Sequence, residues 1–343
     1  MTFQVPTDVV RWGAIGAAKI TDIGIGPAIA ADPRAEFIAI GSRRLDTAQA
    51  AAARNGAARA YRSYDEVLAD PEIDIVYNPL PNSMHHEWTI KALEAGKHVL
   101  CEKPMALSLR EAQEMADAAV ANDRLLIEGF MWRYHPRVPR VLELIRDAIG
   151  PLRAVRIAYT FDLGAAADVR SGTLAKDIRM TPELGGGALG DVGSYAVNGI
   201  RTYAGGRAIK VVSELVKEEQ GVDTRIAGQI TFDNGVIGQF YAALDIPGGG
   251  IVDLLGARGR IRIPNGFRTR EEQGDLVIEV WDAAGVRHDE TLPFEDQYVL
   301  EIRQISSVLL DGAEPIISLE DSVGNATVLD AIRRSWSSGI VNL

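Results

Sequence analysis

The sequence predicts an α/β protein in two parts, a doubly wound parallel sheet followed by an α/β domain with a large, mostly antiparallel open sheet. Three observations carry that expectation. Over the first 130 residues, short apolar β-branched runs alternate with alanine-rich helical stretches, and such alternation demands crossover helices between parallel strands. After Pro151 the texture changes to alternating apolar and polar residues with hairpin signals, the pattern of antiparallel strands with one buried face. Between the first strand and the first helix stands a turn of small residues, Gly13-Ala14-Ile15-Gly16-Ala17-Ala18.

Taken in order, the strands of the first part are expected at 9–15, 36–42, 58–61, 73–78, 98–101 and 125–128. Two intervening helices open with capping boxes, Ser63 with Glu66 and Ser108 with Glu111, in which each side chain satisfies a free backbone N–H of the first turn. Another helix begins near Ser83 and is closed by Gly96. A helix over 137–149 joins the parts without a flexible tether, and the domains are accordingly placed at 1–129 and 130–343. In the second part strands are expected at 152–161, 225–232, 236–243 and 275–281, with a hairpin turn at Asp233-Asn234-Gly235. No internal repeat is visible.

Composition sets the outer bounds. A chain of 343 residues with 47% hydrophobic and 24% charged residues has enough apolar material for a core in each of two domains. The formal net charge of -11 argues against a nucleic-acid partner, because phosphate binding needs a clustered basic face. The start, MTFQVPTDVV, has neither a basic n-region nor an apolar h-region, so no secretory leader is read. No apolar run approaches the roughly 20 residues that span a bilayer. The expectation is a cytoplasmic protein without a membrane partner. The single cysteine, Cys101, excludes an internal disulfide framework and reads as a small core residue. His85 and His86 are adjacent and on a helix would point about 100° apart, a poor metal pair, so no metal is expected.

The turn after the first strand carries the first chemical signal. Small residues there let a pyrophosphate approach the backbone amides at a helix N-terminus without meeting a Cβ. Glycines at 13 and 16 with alanine at 18 form a G-x-x-G-x-A variant, weak alone and stronger in its place between a strand and a helix. The second strand ends Gly41-Ser42-Arg43-Arg44, with no carboxylate before Asp46. A dinucleotide site built for NAD usually offers an acid there, whereas arginines beside a hydroxyl suit a 2′-phosphate. NADP(H) is therefore expected rather than NAD, the alternative being a solvated arginine pair opening the next helix. A third signal is the stretch from Tyr77 to Met105, YNPLPNSMHHEWTIKALEAGKHVLCEKPM. Its strand at 98–101 delivers Glu102, Lys103 and Pro104 to the carboxyl edge of the sheet, where open α/β folds bind ligands, and Pro104 biases Lys103 toward an extended backbone. On spacing alone, Lys103 reads equally as a solvated loop lysine.

The G-x-x-G turn, PLPNSMH at 79–85, ALEAGKHVLCEKP at 92–104 and LGGGALGDVGSYAVNGIR at 184–201 together resemble the Gfo/Idh/MocA family of sugar and polyol oxidoreductases. Within it, the chain is most similar to the branch of glucose-fructose oxidoreductase, dimeric dihydrodiol dehydrogenase and NADP-dependent aldose dehydrogenases. The resemblance implies a Rossmann domain followed by an α/β domain whose open sheet is a common oligomerisation surface, hence a homodimer or homotetramer. It implies a sugar or polyol substrate, and it places Lys103 at the motif lysine that orients the substrate oxygen and contacts the nicotinamide ribose. Tyr195 falls at the proton donor or acceptor and Asp191 at the acid one helical turn earlier; at i,i+4 the two share a face. Cofactor contacts are implied at Gly13, Ile15, Gly16, Ala17, Ala18, Ser42, Arg43, Arg44, Leu80, Pro81, Asn82, His85, Glu102, Lys103, Arg133 and Tyr298, and sugar contacts at Lys103, Arg179, Asp191 and Tyr195.

Read without the resemblance, Tyr195 is also a candidate buried aromatic on a helix under the sheet, Asp191 a helix acid answering the dipole, and Tyr298 a packing residue. The chemistry itself is coherent: hydride transfer belongs to the nicotinamide, so the protein supplies orientation and a proton path. A phenol with an ordinary pKa near 10 needs a neighbouring cation to act at neutral pH, and Lys103 is the candidate. The activities that fit are aldose dehydrogenase, keto-sugar reductase, aldose-aldose oxidoreductase with tightly bound NADP and, in another class, a non-catalytic sugar and dinucleotide sensor. Substrate identity is expected to depend on the loop over 163–179.

Overall fold

The computed structural model describes residues 5, 8–164, 177–269 and 271–343. The chain divides into two compact units, one formed by Met1–Tyr134 with Asp296–Val323 and the other by His135–Glu295 with Gly324–Leu343. The stretch after Glu295 thus returns to the first unit, which a single cut at 129/130 does not describe.

In the first unit six parallel strands, β1 (Val10–Ile15), β2 (Ala35–Gly41), β3 (Arg59–Tyr61), β4 (Ile75–Asn78), β5 (His98–Glu102) and β6 (Leu126–Gly129), lie in the order β3-β2-β1-β4-β5-β6. The order reverses between β1 and β4, where Trp12, Gly13 and Ala14 pair with Ile75, Val76 and Tyr77. Ligands of such sheets bind in the crevice beyond the carboxyl ends of the strands at that reversal. The strands are continuous apolar runs because both faces are covered: all four residues of β4 and of β6 are buried. Crossovers run through α1 (Gly26–Ala30), α2 (Leu45–Asn55), α3 (Tyr64–Ala69), α4 (His85–Glu94) and α5 (Leu109–Ala121).

Both expected serine caps are formed, with the return bond of each glutamate displaced to the residue before the serine. Glu66 N–H donates to Ser63 Oγ at 3.1 Å and Glu111 N–H to Ser108 Oγ at 3.2 Å, and the two glutamates accept in return from the N–H groups of Arg62 and Leu107. The helix read from Ser83 is a tight single turn, Asn82–Met84, followed by α4, with Gly96 at φ 77° just beyond its end. The returning helix α8 (Gln297–Asp311) supplies Ile302, Ile305, Val308 and Leu309 to the same apolar core as Val10, Trp12, Ile25, Ile29 and Phe37.

The second unit opens with α6 (Arg137–Leu144), whose last turn widens over Ile145–Ile149, so the helix expected at 137–149 is present. Nine strands follow: β7 (Leu152–Thr160), β8 (Ala208–Glu219), β9 (Val222–Phe232), β10 (Ile237–Ala243), β11 (Gly250–Gly256), β12 (Arg260–Ile263), β13 (Leu276–Trp281), β14 (Arg287–Leu292) and β15 (Val341–Asn342). Their order is β14-β13-β12-β11-β7-β10-β9-β8-β15, parallel at the β7/β10 pair and antiparallel elsewhere. Helix α7 (Ser194–Ala204) packs on one face at close range: a Cβ on Gly199 would stand 2.7 Å from Ile157 Cδ1. The last helix, α9, spans Leu319–Ser338. Among the described residues no helix is long and apolar enough to cross a membrane.

Candidate active site

In the first unit the small-residue turn leaves β1 at Ile15. Gly13 lies within the strand with no room for a Cβ beside Ile73 Cδ1, at 2.6 Å. Gly16 adopts φ 113°, a backbone that L side chains rarely take, and its N–H donates to Gly41 O at 2.8 Å. A Cβ there would meet Leu80 Cδ2 at 3.0 Å, so the turn rests against the loop that follows β4. Ala17 and Ala18 lead directly into a helical run over 19–30, whose first N–H groups have no acceptor within the helix and form an anion site. The turn Thr21–Ile25 of that run is a wide one. Gly24 within it lies on the ring of Tyr298, with 3.1 Å from its ideal Cβ to Cζ. Tyr298, in the first turn of α8, thus packs against this wide turn. A small-residue cradle at a helix start fits a dinucleotide pyrophosphate.

Beyond β2, the Ser42 N–H donates to Tyr61 O at 3.1 Å, and Arg43 is exposed. Arg44 is exposed and already bonded to Asp46 through two nitrogens, at 3.1 and 2.5 Å. Such a surface pair is worth little and costs little to open toward a phosphate.

The Lys103 end is built from β4, β5 and the loops after them. Tyr77 donates its hydroxyl to Glu102 Oε1 at 2.7 Å, and the Lys103 N–H donates to Glu102 Oε2 at 3.3 Å. Burial and the Glu102 charge hold the Tyr77 phenol well above its ordinary range. From α8, Glu301 is buried, and burial together with the Glu102 charge holds its carboxyl well above the usual carboxylate range. Lys103 precedes a cis peptide to Pro104. In the adjoining loop, Leu80 is buried and Pro81 and Asn82 are partly exposed.

His85 is fully buried, its Nδ1 2.9 Å from Pro104 O and its Nε2 2.8 Å from Leu80 O. Its ring is thus a strut between the two loops. A neutral imidazole donates to one of these carbonyls and the imidazolium to both; burial and the Lys103 charge favour the neutral form. Arg133 likewise has a partner, donating to Asp321 Oδ2 at 2.8 Å. Cys101 is a buried strand residue whose thiol burial pushes up.

Tyr195 lies in the second unit. A helical run over 188–204 begins with a wide turn, Leu189–Gly193, and continues as α7; wide turns of this kind recur at functional sites. Asp191 lies in the wide turn and accepts from Arg179 Nε at 2.9 Å, while Arg179 Nη1 donates to both Asp177 oxygens at 3.2 and 3.1 Å. The Asp191 and Asp177 charges raise the Arg179 guanidinium further. Tyr195 stands edge-on to Tyr159 with ring centroids 5.5 Å apart, and is tilted against Phe267 at 5.6 Å, which itself stacks on Tyr159. The ring is thus fixed by two aromatics, neither legible from the motif. Nor were Asp177 and Asp321 read as partners, because nothing in their spacing marks them. Of the loop expected to select the substrate, residues 165–176 lie outside the described residues. Among the described residues no group of three His, Cys, Asp or Glu side chains could hold a metal ion.

Comparison with known proteins agrees with this architecture. Residues 10–130 match the model of the GFO_IDH_MocA oxidoreductase family with an NAD-binding Rossmann fold, and residues 140–262 match the GFO/IDH/MocA C-terminal domain. The D-xylose 1-dehydrogenase (NADP(+)) 2 of Haloferax volcanii is 32% identical over 96% of this chain and 98% of its own. A 3-ketoreductase from Actinomadura kijaniata, solved with NADP and TDP-benzene, superposes with a TM-score of 0.87 at 29% identity over 95% of this chain and 97% of its own. The aldose-aldose oxidoreductase of Caulobacter crescentus, solved with glycerol, gives a TM-score of 0.87 at 25% identity over 98% of this chain and 100% of its own. With both domain models matched in order and a relative aligned over nearly the whole chain, this protein belongs to the Gfo/Idh/MocA family of oxidoreductases.

Proposed function

We propose that the protein is an NADP-dependent oxidoreductase that oxidises a CH–OH group of a neutral sugar or polyol, in the first instance an aldose. When bound, NADP+ supplies the hydride acceptor. Tyr195 takes the hydroxyl proton in oxidation and returns it in reduction, Lys103 orients the substrate oxygen and favours the phenolate, and Asp191 and Arg179 hold sugar hydroxyls. Ser42, Arg43 and Arg44 receive the 2′-phosphate, with Arg44 released from Asp46. The family supports the reaction class, and the relatives that bind or use NADP support the cofactor. The ketoreductase has also been solved with a lysine replaced by alanine and, separately, a tyrosine replaced by phenylalanine.

One observation favours a neutral sugar over a nucleotide-linked one. Arg179, the cation beside Asp191, is held by two carboxylates, so Asp177, Arg179 and Asp191 together carry net negative charge. A dianionic diphosphate would be repelled there, whereas an uncharged hydroxyl finds fixed donors and acceptors. The aldose-aldose oxidoreductase relative supports a second reading, in which tightly held NADP cycles between two sugars.

The test is the rate of NADPH formation with a panel of aldoses, polyols and trans-dihydrodiols, together with NADPH consumption on keto-sugars and nucleotide-linked keto-sugars. Turnover of free aldoses with NADP+ is expected. Activity confined to nucleotide-linked substrates would reject the neutral-sugar reading, and no turnover with cofactor released on denaturation would favour the recycling enzyme or a sensor.

We also propose a homodimer or homotetramer through the face of the nine-stranded sheet opposite α7. That face carries the exposed Val212, Val216, Ile237 and Val277, an apolar set of the kind that marks an interface. A monomer in sedimentation would reject it.

A further inference from the structure

The helical run that carries Asp191 and Tyr195 starts at Ala188 and has no capping side chain of its own. The cap comes from the neighbouring strand. Leu189 N–H donates to Asp223 Oδ2 at 2.6 Å. Asp223 is the second residue of β9, immediately past a turn in which Gln220 and Gly221 hold φ 55° and 81°. Gly187, just before the helix, has φ 115°, and a Cβ there would stand 2.2 Å from Asp223 Oδ1. The last glycine of the Gly185–Gly187 run is therefore required twice, by its own backbone and by this carboxyl.

The acid read from sequence as the possible answer to the helix dipole was Asp191. In the structure Asp223 takes that place and the Asp191 carboxylate turns to Arg179. The first turn of the helix, Leu189–Gly193, is wide, a rare geometry that recurs at functional sites. Two anchors hold it, Asp223 at Leu189 and Arg179 at Asp191. Burial pushes the Asp223 carboxyl up to about 6 in spite of its N–H donors and the Arg333 guanidinium. A buried acid is a costly cap, and this one comes from a neighbouring strand rather than from the helix's own N-terminus.

We propose that Asp223 is a positioning residue for the reaction proposed above, a reading on which this inference rests: by capping the run from β9 it fixes the wide turn, keeps Asp191 with Arg179 and presents Tyr195 in one orientation.

The test compares D223L and D223N with the wild type in the full-length protein, by steady-state kinetics with NADP+ and the best aldose and by hydrogen exchange over residues 186–195. Losing the cap in D223L is expected to lower kcat about tenfold or more with the KM for NADP+ unchanged, and to speed exchange in that segment. D223N, whose amide oxygen accepts the same N–H, is expected to stay within about threefold of the wild type. D223A replaces D223L if the latter does not fold. Unchanged exchange or unchanged kcat in D223L overturns the proposal, as does D223N falling as far as D223L. If the wild type turns over no sugar, the functional reading fails, and the exchange comparison alone decides the cap.

Discussion

At the carboxyl end of β5, the acid before Lys103 has both oxygens engaged, one by the Tyr77 hydroxyl and one by the Lys103 N–H. Backbone and acid together set where the lysine side chain begins, at the carboxyl edge that the sequence predicts for it. Removing the lysine in Lys103→Ala, or the proton-carrying hydroxyl in Tyr195→Phe, is expected to lower kcat by about 10²- to 10⁴-fold while NADP+ still binds. A variant of either kind with wild-type kcat would remove that residue from the chemistry. At the second strand the expectation is different in kind. Arg44 already has Asp46, so the proposed 2′-phosphate contact is expected to fall more on Arg43, and Arg43→Ala should raise the KM for NADP+ about tenfold and leave that for NAD+ unchanged. An equal change for both cofactors would show that Arg43 does not read the 2′-phosphate. His85 shows what residue-scale reading leaves out: its two ring nitrogens lie against carbonyls of the adjoining loops, contacts that nothing in the spacing marks.

Among the elements, the parallel strands were legible because burial on both faces leaves continuous apolar runs, and the capping boxes because their spacing is local. Less visible were β8, β11, β12, β14 and β15. The first alternates but ends in charges, KEE, and β14 reads RHDETL, an edge strand whose polar residues match solvent rather than a core. The wide turn before Tyr195 and its cap from β9 were hidden because the two partners lie 34 residues apart. That cap has a thermodynamic signature. Its pKa is raised from the ordinary 3.8 to about 6, so its contribution to stability is present below the unfolded pKa and is lost as pH rises through about 6. In chemical denaturation, D223N should therefore gain on the wild type between pH 4 and pH 8, by roughly 2 to 3 kcal/mol. An equal stability difference at both pH values would contradict the burial of this acid.

For the molecule as a whole, the least legible feature was the return of the chain to its first unit. Helix α8 looks like any amphipathic helix, and nothing in its sequence says which core its apolar stripe joins; only the contacts assign Ile302, Ile305, Val308 and Leu309 to the core behind β1. Burying four such side chains contributes roughly 6 to 12 kcal/mol, as large as the whole stability of a typical domain. A chain ended at residue 295 should therefore fail to bind NADP+ and expose apolar surface to a hydrophobic dye. Tight NADP+ binding by that fragment would show that the first unit does not need α8. The central claim, that this molecule moves a hydride between a neutral sugar and NADP, is tested most directly by incubating it with NADP+ and an aldose deuterated at its anomeric carbon, then weighing the reduced cofactor. Direct transfer yields NADPH carrying the deuterium, made by the wild type and suppressed in Tyr195→Phe. Deuterium released to water, or reduced cofactor formed without it, would contradict direct transfer.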